Sequence, residues 1–166
     1  FLSITLFSFS QKNGLRNLQL FQGNGVDAFI SIMKSNDGYL AIGKSTSDST
    51  TLPGAHGDYD GLLVKYDASF KIVWKKGLGG TGNDRLMGGL PLSDGGFIVW
   101  GFTESNNGDV VRPAGRGRDA WVVRLNAQGN IVWQKAFGGS GLDYASGGVV
   151  AGLNRFLIMG YTASVD

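Results

Sequence analysis

Residues Asp119–Asp143 read DAWVVRLNAQGNIVWQKAFGGSGLD, and residues Asp60–Asp84 read DGLLVKYDASFKIVWKKGLGGTGND. A constant shift of 59 positions superimposes the two stretches, so that Trp74 coincides with Trp133. The shift also superimposes further pairs that we expect to be structural: Gly80 and Gly139, Asp84 and Asp143, and Asp60 and Asp119. Internal repeats of this length indicate an architecture in which each unit packs against its neighbours.

The repeat extends over most of the 166 residues. The same shift holds up to the last residues of the sequence, and a shift of 57 positions backwards carries Asp84 to Asp27. We therefore predict a β-propeller-type repeat domain over residues 11–166. Its parts are an orphan strand at about 15–21, a repeat at 21–77, a second repeat at 78–136 and a truncated repeat at 137–166.

The composition is that of a globular chain with many turns. The sequence contains 28 glycines but only 3 prolines, and the glycines separate short apolar runs without a Gly-X-Y period. The net charge is only +2 and the basic residues are dispersed, so we expect no nucleic-acid partner. No cysteine is present, which excludes disulfide bonds and thiolate chemistry.

Each full repeat contains four short apolar runs. In the first repeat, Ala28–Lys34 and Tyr39–Ser45 flank an Asn-Asp-Gly turn, which is a strong signal for a β-hairpin. The polar stretch Ser45–Tyr59 predicts a surface loop, and Gly61–Tyr66 and Lys71–Lys76 predict a second hairpin. No segment has the apolar period of a helix. We therefore predict an all-β fold.

A single four-stranded sheet cannot bury both of its faces, so consecutive copies must stack on one another. We expect tandem four-stranded antiparallel blades in a β-propeller-like arrangement, with a parallel β-helix as the structural alternative. Two and a half blades make only an incomplete ring. Closure is therefore expected to require further blades or another chain.

The tryptophans divide into two classes. Trp74 and Trp133 recur in step, and we expect them to pack one blade on the next, since burying such a ring contributes roughly 2–3 kcal/mol. Trp121 and Trp100 do not recur, which makes them candidates for a surface contact. The other candidate contact residues, both in the long loop of the second repeat, are Asn107 and Asp109.

Residue types that catalyse reactions do not converge in the sequence. The glycine-rich segment Gly79–Asp84 lacks the lysine of a phosphate-binding loop, and we expect it to be a turn between blades. His56 is the only histidine and has no nucleophile in a recognisable motif. Loop aspartates such as Asp58 do not follow the spacing of a calcium hand. We predict no catalytic, cofactor-binding or metal-binding residues, and no enzymatic activity.

The first residues, FLSITLFSFS, form an apolar run of the length found in signal peptides. We interpret residues 1–10 as the remnant of such a peptide; a first hydrophobic strand of the fold is the alternative. The run is too short to span a bilayer, and no later segment of the sequence is long and apolar enough to do so. We therefore expect a secreted or outer cell-surface protein without a membrane span.

Several segments combine into one full-period pattern: Gly138–Asp143, Asp94–Phe97, Gly101–Ser105 and Asp119–Gly139. The pattern resembles the long propeller-type repeats, of about 59 residues here, in secreted and cell-surface proteins of Bacteroidetes-like bacteria. It covers nearly all of the chain after about Phe21. The first copy departs from it by having Leu62 in place of a tryptophan and Phe70 in place of a glycine. The resemblance implies a secreted repeat scaffold and no particular ligand.

These observations lead us to expect a non-enzymatic scaffold whose loops contact protein or glycan at the cell surface. A lectin is one alternative, in which sugars would stack on exposed Trp121 or Trp100. A quinoprotein is another, since Asn126–Trp133, NAQGNIVW, is similar to the tryptophan-bearing motif of PQQ-dependent dehydrogenases.

Overall fold

A computed structural model describes residues 9–10, 14–15, 21–112, 117–152 and 155–166. Every regular element among them is a β-strand, which confirms the all-β prediction. The strands are, in chain order, β1 (Phe9–Ser10), β2 (Gly14–Leu15), β3 (Asp27–Ser35), β4 (Gly38–Ser45), β5 (Asp60–Asp67), β6 (Ile72–Leu78), β7 (Arg85–Pro91), β8 (Phe97–Thr103), β9 (Asp119–Leu125), β10 (Ile131–Phe137), β11 (Asp143–Val150) and β12 (Phe156–Thr162). The predicted signal-peptide remnant and orphan strand lie largely outside the described residues.

The longer strands form three antiparallel sheets. Strands β3 to β6 make one four-stranded meander, sheet 1, and β7 to β10 make a second, sheet 2. Strands β11 and β12 form a hairpin, and the short β1 and β2 form another. The four strands predicted for the first repeat are confirmed, with ends shifted by one or two residues.

Irregularities of the backbone recur together with the sequence. The first two strands of each copy are out of register by one residue, at Ile30 in sheet 1, at Met87 in sheet 2 and at Ser146 in the β11–β12 hairpin. A β-bulge of this kind bends the strand and increases its twist. The last two strands of each sheet share a second bulge, at Val73 and Val132. Related sequences therefore give related backbones, as the shift predicts.

The turn between the third and fourth strands explains one departure from the repeat pattern. Gly129 has a φ of 76° in sheet 2, and Phe70, at the equivalent position of sheet 1, has a φ of 63°. Glycine adopts this left-handed conformation without steric cost, whereas a bulky residue does so only under constraint from its surroundings. Phe70 stacks on Tyr39 with ring centroids 5.1 Å apart. This contact offsets part of the backbone strain in the first copy.

The largest apolar core lies between sheet 1 and sheet 2. Sheet 1 contributes Leu40, Ile42, Leu63 and Leu78, and sheet 2 contributes Leu86, Phe97, Val99, Trp121, Val123 and Leu125. A second cluster covers the other face of sheet 1, and a third lies between sheet 2 and the β11–β12 hairpin. Each sheet is thus apolar on both faces and packs against a neighbour, as expected for stacked repeats.

The recurring tryptophans lie at equivalent places between neighbouring sheets. Trp74 contacts Phe97 edge to face at 6.4 Å, and Trp133 stacks on Phe156 at 6.0 Å. The Trp74 ring also lies over the turn of sheet 2, where its Nε1 donates a hydrogen bond to the carbonyl oxygen of Ala127 at 3.2 Å. Trp133 is less covered and remains 38% exposed.

Candidate functional site

The repeated aspartate of each linking turn is the centre of a hydrogen-bond network, and its side chain is buried in the second and third copies and half-buried in the first. In the second copy the backbone N–H of Gly80 donates to Asp84 Oδ2 at 2.8 Å. The hydroxyls of Thr103 and Ser105 donate to the same carboxylate at 2.5 and 2.6 Å. Ser105 Oγ in turn accepts from the N–H of Gly82 at 2.8 Å. The carboxylate therefore ties the turn to the end of β8.

The same network occurs in the other two copies. Ser164 Oγ donates to Asp143 at 2.7 Å, and the N–H of Gly139 donates to the same carboxylate at 3.1 Å. In the first copy Asp27 accepts from Ser47 Oγ at 2.9 Å and from the N–H of Gly23 at 3.1 Å. The repeated glycines, aspartates and hydroxyl residues are thus accounted for by three equivalent turns.

The other repeated aspartate faces the first glycine of the turn. A Cβ atom at Gly79 would lie 2.3 Å from Asp60 Oδ1 and 2.6 Å from Asp84 Oδ2. The equivalent atom at Gly138 would lie 2.5 Å from Asp119 Oδ1 and 2.3 Å from Asp143 Oδ2. Two buried carboxylates therefore lie against the α-carbon of each glycine, and no side chain fits there.

Asp60 and Asp119 have different partners. Asp119 pairs with Arg112, whose Nη1 lies 2.9 Å from Oδ2, and both side chains are buried. Asp60 instead accepts from the backbone N–H groups of His56 and Gly57, at 2.8 and 3.3 Å, and the His56 ring nitrogen Nδ1 is 3.9 Å from its Oδ1. Burial raises the pKa of Asp60 above its ordinary value, against the opposing effect of these two hydrogen bonds.

The long loop of the second copy is fixed to the linking turn by the residues predicted as contacts. Asn107 Oδ1 accepts from the N–H of Thr81 at 2.9 Å. Asp109 donates its own N–H to the carbonyl oxygen of Gly79 at 2.8 Å, while its Oδ2 accepts from the N–H of Gly79 at 3.3 Å. Burial raises the pKa of Asp109. The loop tip formed by Asn106, Asn107 and Gly108 remains exposed.

The prediction that Trp121 and Trp100 make surface contacts is wrong. Trp121 is fully buried between the two sheets, where its Nε1 donates to Gln134 Oε1 at 2.8 Å. Trp100 is 5% exposed and packs in the cluster between sheet 2 and the β11–β12 hairpin. The sequence contains a signal that identifies both as core residues: the equivalent positions of the first copy are also apolar. Their equivalents there are Leu62 and Ile42, which are buried.

The NAQGNIVW stretch forms the turn between β9 and β10 and the start of β10. Asn126 Oδ1 accepts from the N–H groups of Gln128 and Asn130 at 3.0 and 2.9 Å. A Cβ atom at Gly129 would lie 3.0 Å from the Trp74 ring. These residues therefore have structural roles that account for the pattern, and the quinoprotein alternative stays an untested hypothesis.

No group of three or more metal-ligating side chains occurs within the described ranges. These ranges also contain no helix that is long and apolar enough to cross a membrane.

An apolar groove of about 920 Å³ lies between sheet 2 and the β11–β12 hairpin. Its apolar lining includes Ala120, Val122, Trp133, Phe137, Phe156 and Ile158. The outer strand of the hairpin, β12, borders it.

Neither protein-family models nor curated protein sequences match this chain.

Proposed function

We propose that this chain is a non-enzymatic, secreted or cell-surface repeat scaffold of the β-propeller type, whose long loops contact a protein or a glycan. The observation that carries the proposal is the threefold recurrence of the turn network around Asp27, Asp84 and Asp143. A carboxylate that recurs in three turns with the same backbone and hydroxyl donors is accounted for by its role in the fold.

The arrangement of the first strands supports a propeller over a β-helix. Strand β7 packs against β3 on one side and against β11 on the other, so the first strands of the three copies are neighbours. In a propeller the inner strands of adjacent blades are neighbours in this way, with each blade a four-stranded antiparallel meander. The strands of a parallel β-helix would pair in parallel, whereas the strand pairs within sheet 1 and sheet 2 are antiparallel.

The loops between the second and third strands are the part of the repeat that is free to differ. The loop at 46–59 carries Pro53 where the loop at 104–118 carries Arg112, the buried partner of Asp119. Variable loops on a rigid sheet scaffold are the usual location of binding residues. Asn107 holds the loop on Thr81 through both ends of its side-chain amide. The exposed amide of the neighbouring Asn106 provides a hydrogen-bond donor and acceptor that suit a glycan or a peptide backbone.

Binding of the full chain to a glycan array and to a panel of purified surface proteins tests the proposal. Asn106→Ala should reduce binding of a retained ligand by about tenfold or more, since contact residues at the centre of an interface dominate affinity. Gln128→Ala is the matched control, because Gln128 lies exposed in a turn remote in sequence from the loop. Equal effects of the two variants, or no binding on either array, would contradict the loop-contact role.

A further inference from the structure

Basic and aromatic side chains form a row that crosses from sheet 1 to sheet 2 at the bases of the two long loops. The residues of this cationic row are, in spatial order, Lys44, Tyr59, Arg85, Phe102 and Arg118. Lys44 and Phe102 lie near the ends of β4 and β8, and Arg85 begins β7. Tyr59 and Arg118 immediately precede β5 and β9. The cationic row therefore lies at the end of the sheets from which the long loops project.

The two aromatic rings hold the three cations in place. Lys44 Nζ lies 4.3 Å from the centroid of the Tyr59 ring, and Arg85 Cζ lies 4.9 Å from the same centroid. The Phe102 ring is shared in the same way, with Arg85 Cζ at 5.6 Å and Arg118 Cζ at 4.0 Å. At such distances a ring attracts a cation. The positions of the cations are therefore fixed before any ligand binds, which reduces the entropic cost of binding.

Two of these three cations have no carboxylate partner. Within the described ranges no aspartate or glutamate oxygen lies at ion-pair distance from Lys44 or Arg85. Arg85 Nε donates to the amide oxygen of Asn83 at 3.2 Å, whereas Arg118 pairs with Glu104 at 2.7 Å. Like charges that share a ring repel each other. An anion between Lys44 and Arg85 would remove this repulsion.

The repeat does not require cations at these places. Strand β7 pairs Arg85 with Phe102, while the equivalent pair in sheet 1 is Ala28 with Lys44. The same strand pair thus forms with or without an arginine at its start. The cations that serve the fold in the described ranges do have carboxylate partners, which are Asp37 for Lys65, Asp119 for Arg112 and Asp94 for Arg124.

We propose that the cationic row binds an acidic glycan, with a carboxylate or sulfate group of the sugar between Lys44 and Arg85. The guanidinium can donate two parallel hydrogen bonds to such a group while the ammonium donates a third. Partners for sugar hydroxyls lie beside them. Asn83 accepts from Arg85 through its oxygen, so its amide nitrogen can donate, and Glu104 pairs with Arg118 through Oε1, so its Oε2 can accept.

This arrangement favours a glycan over a nucleic acid or an acidic peptide. A nucleic acid binds through many phosphate contacts, whereas the cationic row offers two cations without a carboxylate partner and carries Glu104, which repels a polyphosphate. An acidic peptide would leave the partners for hydroxyls unused. The inference rests on the glycan-contact role proposed above and specifies its ligand, but it uses residues other than Asn106.

Fluorescence anisotropy of the full chain with labelled oligogalacturonate, which carries carboxylates, and labelled sulfated dextran tests the proposal. We expect saturable binding of at least one, and the tighter ligand identifies the anionic group. Arg85→Gln and Lys44→Gln should each weaken binding by about tenfold or more, because each removes a charge-assisted hydrogen bond. Lys71→Gln is the matched control and should leave binding unchanged, since it removes the same charge at the opposite end of β5.

Glu104→Gln adds a test that misfolding cannot imitate. The substitution leaves the charge of Arg118 unopposed, so acidic-glycan binding should tighten by about two- to fivefold. Neutral dextran should not compete. Equal affinities of the Arg85→Gln and Lys71→Gln proteins, equally tight binding of polyglutamate or oligothymidylate, or no binding of either glycan at up to about 1 mM would overturn the proposal.

The Asn106→Ala protein separates this site from the loop tip. It should bind the acidic glycan as the parent chain does. If acidic glycans do not bind while another ligand depends on Asn106, the inference about the cationic row is wrong and the loop-contact role is supported. If acidic-glycan binding depends on Arg85 while no ligand depends on Asn106, the cationic row is supported and the role of the loop tip is contradicted.

Discussion

The interface between sheets 1 and 2 differs from that between sheet 2 and the β11–β12 hairpin by one packed strand. At both interfaces a tryptophan of one sheet contacts a phenylalanine of the next, Trp74 with Phe97 and Trp133 with Phe156. Strand β9 completes the first interface, with Trp121 at its centre. The second interface keeps an apolar groove in the corresponding place.

This difference shows that equivalent residues of two repeats can differ in burial. Trp74 is covered by the turn at Ala127, to which it also donates a hydrogen bond, whereas Trp133 lies against the β11–β12 hairpin alone and stays partly exposed. Both tryptophans contact the equivalent phenylalanine of the next sheet, Trp74 edge to face and Trp133 stacked. The copies differ in whether a further strand, β9, excludes water from this contact. Substitutions can separate the contribution of the contact from that of the strand.

The largest expected loss of stability is at the interface between sheets 1 and 2, which β9 completes. Trp121→Ala should lower the free energy of unfolding by about 3–5 kcal/mol, because it opens a cavity in the core and removes the hydrogen bond to Gln134. Trp133→Ala, at the groove, should cost about 1 kcal/mol, since this ring is already partly exposed. Urea unfolding followed by circular dichroism measures both. Equal losses would mean that β9 does not distinguish the two interfaces.

The glycines between paired carboxylates should be equally sensitive at both interfaces. Gly79→Ala and Gly138→Ala each place a Cβ atom within 2.6 Å of two buried carboxylate oxygens. We expect each to cost about 2–3 kcal/mol, the upper part of the range for overpacked sites. Gly147→Ala is the control, because its Cβ atom would meet only the flexible side chain of Met159, at 3.1 Å. A harmless Gly138→Ala would show that the turn of the third copy is not held as the structure shows.

Removal of the serine hydroxyl from the turn network should cost more stability where the serine is more deeply buried. Ser105→Ala removes one of the two donors to Asp84 Oδ2, leaves the N–H of Gly82 without its acceptor and should cost about 1–2 kcal/mol. Ser164→Ala breaks the same bonds to Asp143 and Gly141 at a more exposed position and should cost less. Thermal unfolding of the two variants in parallel ranks them, and the reverse order would contradict the assigned burial.

The smallest effect is the pH dependence conferred by Asp60. Because burial raises its folded-state pKa above the unfolded value of 3.8, Asp60 lowers stability at neutral pH, and this cost disappears as the pH falls through the raised pKa. The stability of Asp60→Asn relative to the parent chain should therefore increase with pH from about 4 upward and level off above the raised pKa. Urea unfolding of both proteins across this pH range measures how the difference in their free energies of unfolding changes with pH.

Asp94→Asn is a control whose stability relative to the parent chain should change with pH in the opposite direction. The N–H of Gly96, together with Arg124, lowers the pKa of Asp94, so its contribution to stability is present above the unfolded pKa and is lost as the pH falls. Asp94→Asn should accordingly lose stability relative to the parent chain as the pH rises. Slopes of the same sign for the two variants would contradict the cause assigned to the Asp60 shift.

The sequence alone is sufficient to predict the strands, their order along the chain and the recurrence of the turns. Alternating apolar runs and Asn/Asp-Gly turns act over a few residues, so β3 to β6 could be predicted with small errors at their ends. The repeated glycines and aspartates could also be recognised as structural. The hydrogen bonds to Ser105 and Ser164, about twenty residues further on, required the structure.

The tertiary structure alone decided which repeated side chains are covered. The absence of a second tryptophan at the equivalent positions wrongly predicts a surface role for Trp121 and Trp100, because these positions are apolar and buried in the first copy as well. Trp133 and Phe137 line the groove beside the β11–β12 hairpin and stay exposed, whereas the equivalent Leu78 is buried between sheets 1 and 2. Local pattern determines a residue's conformation and face, but burial is set by the neighbouring sheet, because excluding water requires atoms from elsewhere in the fold.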